Sequence, residues 1–178
     1  MEKIKKTSTI MSIVLKVIYI VVCIGVGFLV AGLIFLSVNG SANEIHIGDS
    51  INISLPFTYE EIGYGGFPQL IAGCILNIIA GVLGLIIIKN AYMIFKEISV
   101  TARPFEKIYV KRLKTIALIM IISNFGLSFI RGITESIMGG KIGNWFQTYD
   151  IFTAVLIYCL ALIFDYGCDL QKQSDETI

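Results

Sequence analysis

The residues best equipped for chemistry in this chain are few: one imidazole, His46, and four thiols, Cys23, Cys74, Cys159 and Cys168. A zinc site needs several nitrogen or sulfur ligands converging on one point, and His46 has no second histidine to join it. No two cysteines form a Cys-x-x-Cys pair, so metal and redox chemistry have no motif here. The thiols read as small packing residues, and His46 as an exposed histidine on a strand. Glu44, Asp49, Glu60 and Glu61 share one stretch and attract cations weakly, but their spacing is not that of a calcium loop. No nucleophile has a base beside it in sequence, no His-Glu-x-x-His pair occurs, and no glycine loop is built for phosphate. The expectation is a protein that is not an enzyme, with no cofactor, no metal and no catalytic residue.

Polar and small residues inside apolar runs carry more information. Gly73, Asn77, Gly81 and Gly84 recur along one helical face, so a neighbouring backbone can approach closely while Asn77 finds a hydrogen bond in the interface. Gly25, Gly27, Ala31 and Gly32 offer a matching surface on another segment, and Asn124 serves similarly on a third. The functional alternative has Asn77 and Asn124 lining a polar path, although a conduit usually shows more ionisable groups within the membrane. Arg131 and Asp150 lie at matching depth with opposite charge and are expected to form an interhelical structural pair. Glu135, one turn beyond Arg131, competes for the same arginine.

These positions only make sense inside a lipid bilayer. Of the 178 residues, 56% are apolar and 15% charged, which a water-soluble domain of this size could hardly conceal. A net charge of +1 provides no bulk basic field for nucleic acid. The reading is a single all-α integral membrane domain over residues 1–178, a bundle of four transmembrane helices at about 13–37, 69–96, 113–138 and 145–166. Lys3, Lys5, Lys6 and Lys16 precede the first apolar run, and Lys89, Lys96, Arg103, Lys107, Lys111, Arg112 and Lys114 lie between the second and third. By the positive-inside rule both termini are cytosolic.

The external loop, 39–67, has acids and no Lys or Arg. Within its "EIHIGDSINISL" the apolar residues alternate with polar ones around Gly48-Asp49-Ser50, which predicts a small external β-hairpin cap. In the cytosolic loop, 97–112, Pro104 breaks the helix before it. Thereafter Phe105, Ile108, Tyr109, Leu113 and Ile116 recur at helical spacing while Lys107, Lys111, Arg112 and Lys114 face elsewhere, which predicts a cytosolic amphipathic helix.

The tail, 167–178, is acidic. Asp165, Asp169, Asp175 and Glu176 emerge on the same side as those lysines, and exposed ion pairs alone would not dock it. Tyr166 and Leu170 are its expected apolar anchor onto Phe105 or Tyr109, provided the fourth helix continues past Gly167. The expected partner-binding face is therefore Phe105, Tyr109, Lys107, Lys111, Arg112, Asp165, Asp169 and Leu170, with the tail as its movable half.

The blocks "ARPFEKIYVKRLKTIALIMI" and "IFDYGCDLQKQSDETI" resemble the two recurring blocks of the bacterial four-span membrane family called domain of unknown function 2975. Members often carry a serine or threonine after the Pro-Phe step, where this chain has Glu106. The resemblance implies a bacterial inner-membrane protein, multi-pass, often encoded beside a small helix-turn-helix regulator, and implies no enzyme activity. The leading expectation is a sensor or anchor that regulates a small helix-turn-helix transcription factor through its cytosolic face. The alternative is an immunity factor against a membrane-active peptide, or a small transporter component. Expected partners are the lipid bilayer, the helix-turn-helix regulator and a second copy of the chain as a homo-oligomer, with no direct nucleic-acid binding.

Overall fold

A computed structural model describes residues 2–39, 44–47, 51–54, 67–101, 105–138 and 148–176. In chain order the elements are α1 (Glu2–Asn39), β1 (Glu44–Ile47), β2 (Ile51–Ser54), α2 (Phe67–Thr101), α3 (Lys107–Met138) and α4 (Thr148–Glu176). All four helices are long and apolar enough to cross a membrane. Even the shortest, α4 with 29 residues, extends about 44 Å at 1.5 Å per residue, against a hydrocarbon thickness of about 30 Å.

The surface gives the reason these segments are helical. Hydrocarbon cannot hydrogen-bond a backbone, so a spanning segment satisfies its own amides as a helix. Large apolar side chains then stay bare on every helix: Phe28 is 75% exposed, Ile79 43%, Phe129 64% and Phe152 63%. Water would not tolerate apolar surface on that scale. The chain is an all-α, multi-pass membrane protein.

The helices run further than the spans read from the sequence. α1 begins at Glu2 rather than near residue 13, α2 continues to Thr101, and α4 continues through Gly167 to Glu176. Lysines and serines on the early turns of α1 do not interrupt it, because a charged side chain can leave a helix for water while the backbone ladder continues. The cytosolic amphipathic helix, expected to feed straight into the third span, is not an element of its own but the first turns of α3. Lys107 opens α3 itself, and Tyr109 and Val110 are buried at 0% and 3% exposure while Ile108 stays 46% exposed. Of the expected apolar face, Tyr109, Leu113 and Ile116 do pack in the core while Phe105 and Ile108 stay partly exposed, because protein rather than a lipid surface covers the stripe. Strands β1 and β2 pair antiparallel with Ile45 opposite Ile53 and Ile47 opposite Ile51. Two strands of four residues form no layer of their own.

The chain divides into two compact units. One consists of Met1–Cys23, Leu83–Asn124 and Gln147–Ile178, the other of Ile24–Val82 and Phe125–Phe146. In the second unit a Cβ on Gly81 would stand 2.6 Å from Cγ2 of Val26. That is the close helix approach expected of Gly81. Gly84, in the first unit, meets nothing within 4 Å, nor do Gly25, Gly27 and Gly32 of α1. Val26, between two of those glycines, makes the contact instead. Gly73 and Asn77 are half-buried.

Candidate functional site

The first unit holds the lysine-rich ends of α1, α2 and α3 together with α4 and its acidic end. Its core is Ile94 and Ile98 of α2 against Tyr109 and Ile116 of α3, with Ile87, Ala91, Leu113, Met120 and Ile157 packed around it. α1 joins through Ser8, which is 4% exposed and whose hydroxyl donates to the carbonyl of Phe95 on α2. Ser12, one turn on and also buried, donates to its own helix at Thr9.

α3 starts where the chain turns: the amide of Tyr109 donates to the carbonyl of Glu106 at 3.0 Å. That turn buries the Tyr109 ring and leaves its hydroxyl 3.5 Å from the hydroxyl of Thr101 at the end of α2. Arg112 then faces back along α2, and its Nη2 lies 2.8 Å from Oε1 of Glu97. The Nη1 of the same guanidinium is buried without a hydrogen-bond partner among the described residues. A buried donor in that state costs free energy, so Glu97 does not by itself satisfy the arginine.

The end of α4 is clamped onto the start of α3. Nζ of Lys114 lies 2.8 Å from Oδ2 of Asp165, and Nζ of Lys107 lies 2.9 Å from Oδ1 of Asp169. Asp165 and Asp169 are one turn apart on α4, and Lys107 and Lys114 two turns apart on one face of α3, so the two helices are tied at two levels. Between the ties, the Phe105 ring rests on Gly167: a Cβ there would be 2.8 Å from Cδ1 and 2.9 Å from Cε1 of Phe105. The same ring packs on Phe164 with centroids 5.4 Å apart. Cys168 is buried beside this contact at 7% exposure.

Of the expected partner-binding residues, the structure brings Phe105, Lys107, Asp165 and Asp169 together, with Lys114 as the fifth member. Tyr109 is wholly buried and Arg112 is tied to Glu97, so neither lies open on this face. Lys111 is exposed. The apolar anchor differs from the one expected: Tyr166 is 67% and Leu170 47% exposed, and Phe164, Gly167 and Cys168 occupy the contact. The helix does continue past Gly167, but its phase turns Tyr166 and Leu170 outward, since neighbours one position apart on a helix face different ways. Arg131 is exposed on α3, and the side chain of Asp150 falls outside the described residues, as do Trp145 and the loop acids.

Four contributors were missed in the sequence. Ser8 and Ser12 carried a signal in their four-residue spacing. Glu97 is the sole acid between Lys89 and Pro104. Gly167 breaks the propensity of its helix, which costs roughly 1 kcal/mol against alanine and marks a close approach when it is kept.

No family model matches the chain, and neither does any curated protein or solved structure.

Proposed function

We propose that this chain is a membrane-embedded anchor whose lysine-rich end faces the cytosol of a bacterium and captures or releases a small helix-turn-helix transcription factor. The observation that carries this reading is the clamp between α3 and α4. Two ion pairs and one ring-on-glycine contact hold the turn Asp165–Asp169 of α4 against the start of α3. Of the two pairs, Lys107–Asp169 leaves its side chains 68% and 56% exposed, so water and salt compete for it. The contact is therefore of a kind that a charged partner or a changed ionic environment can open. Opening it would bare Phe105, Phe164 and Cys168 beside Lys107, Lys111 and Lys114, an apolar patch with a basic rim.

In this reading both termini are cytosolic, as the distribution of Lys and Arg favours. No reaction is assigned to the chain. The test is site-specific photocrosslinking from position 111 in the native host. The expected product is an adduct with a small helix-turn-helix protein, increased by truncation after Asp165, which removes the clamp, while membrane insertion is kept. Adducts with lipid or with the chain itself alone, or an adduct indifferent to the truncation, would overturn the proposal.

A further inference from the structure

One charge on each helix marks where the apolar run ends at the lysine-rich end. Residues 17–43, 62–88, 115–130 and 151–164 are free of Asp, Glu, Lys and Arg, and the charges that bound them there are Lys16, Lys89, Lys114 and Asp165. Lys114 and Asp165 neutralise each other. Lys16 and Lys89 are both exposed, carry the same sign, and have no ion-pair partner among the described residues.

They also share a cavity. Lys16, Tyr19 and Ile20 of α1 and Lys89, Tyr92 and Met93 of α2 line a space of about 320 Å³. The two helices offer the same pattern, Lys-x-x-Tyr followed by an apolar residue, and each set lies on one helical face. The level of the two lysines follows from the Ser8–Phe95 hydrogen bond. Lys16 stands about 12 Å along α1 from Ser8, and Lys89 about 9 Å back along α2 from Phe95, by helical rise. The two ammonium groups therefore start from nearly one height. A third cation lies one turn away, the Lys96 Nζ 5.6 Å from the centroid of the Tyr92 ring.

The geometry points to a site for one anionic phospholipid, with its phosphate between Lys16 and Lys89 and its glycerol and first methylenes on Tyr19 and Ile20. Both lysines sit where a charge-free run meets its first charge, which is the level a lipid phosphate occupies. Two like charges across one groove repel until an anion joins them, and tyrosine hydroxyls suit the boundary between apolar and polar layers. A soluble anion would satisfy the lysines but leave Ile20 and Met93 uncovered. An amphiphile satisfies both. This site involves α1 and α2 alone and does not rest on transcription-factor capture: truncation after Asp165 removes the clamp and leaves every residue of the groove.

The full-length protein in nanodiscs of phosphatidylcholine with phosphatidylglycerol, released into native mass spectrometry, tests the assignment. The wild type is expected to retain one phosphatidylglycerol in preference to phosphatidylcholine. Lys16→Gln with Lys89→Gln should lower that preference on the order of thirtyfold, while Lys16→Arg with Lys89→Arg keeps it and so controls for folding. Lys172→Gln, the same kind of charge loss at an exposed pair on α4, should leave it unchanged. Equal retention of the two lipids by the wild type, or undiminished retention by the glutamine variant, would overturn the site. Inorganic phosphate that binds saturably and displaces the lipid would show a soluble-anion site and overturn the lipid assignment.

Discussion

The α3–α4 contact and the α1–α2 groove start from the same material and end differently. Each has a lysine at the boundary of an apolar run, aromatic rings within a turn of it, and a neighbouring helix within reach. At α3–α4 the neighbour supplies carboxylates, Asp165 and Asp169, and a glycine on which Phe105 can rest. The contact closes on itself. At α1–α2 the neighbour supplies another lysine and another tyrosine, and a cavity of about 320 Å³ persists between them. A helix pair that carries both signs of charge completes its own interface, whereas one that carries a single sign needs an anion from the bilayer.

The largest expected effect breaks the closed side. Gly167→Leu pushes Phe105 off α4 and should destabilise the protein by about 1–3 kcal/mol, the usual cost of overpacking, measured by thermal unfolding in nanodiscs. Gly84→Ala, at a position with nothing within 4 Å, should change stability by no more than about 0.5 kcal/mol. Similar losses at both positions would mean that the Phe105 contact does not hold the clamp.

A middle-sized effect comes from exchanging the character of the two sides. Asp165→Asn leaves Lys114 without its counter-charge and should make thermal stability depend on anionic lipid, with a preference for phosphatidylglycerol increased about fivefold for one freed lysine. Lys16→Glu places a carboxylate across from Lys89 and should abolish the preference. If neither substitution moves the lipid dependence, charge pairing is not what distinguishes the two regions.

The smallest effect is at the exposed end of the clamp. Asp169→Asn removes a pair whose side chains are 68% and 56% exposed, and at physiological salt the melting midpoint should not move measurably. Partner capture in the crosslinking assay should nevertheless rise, because the last turns of α4 are then held by one tie rather than two. A fall in capture would mean that the closed clamp, not the open one, is the binding surface.

Composition and the period of the apolar runs determined the number of spanning helices, since a bilayer rewards one thing above all, an uninterrupted stretch of apolar residues with its backbone satisfied internally. They also placed Asp165 and Asp169 on the same side as Lys107 and Lys114, because charges gather where the apolar runs stop. Helix ends were less legible. Nothing local stops α1 before Asn39 or α4 before Glu176, and polar turns stay helical when packing on a neighbour favours it.

Tertiary structure alone decided which face of each helix is covered. Tyr166 and Leu170 face out, whereas Gly167, a single residue and about 100° on from Tyr166, faces Phe105. In lipid, apolar residues are welcome on both faces, so hydrophobicity does not mark the inward one as it does in water. The choice falls to shape and charge at contact: a ring that fits over a glycine, a lysine that meets an aspartate, and, between α1 and α2, two lysines that line one cavity.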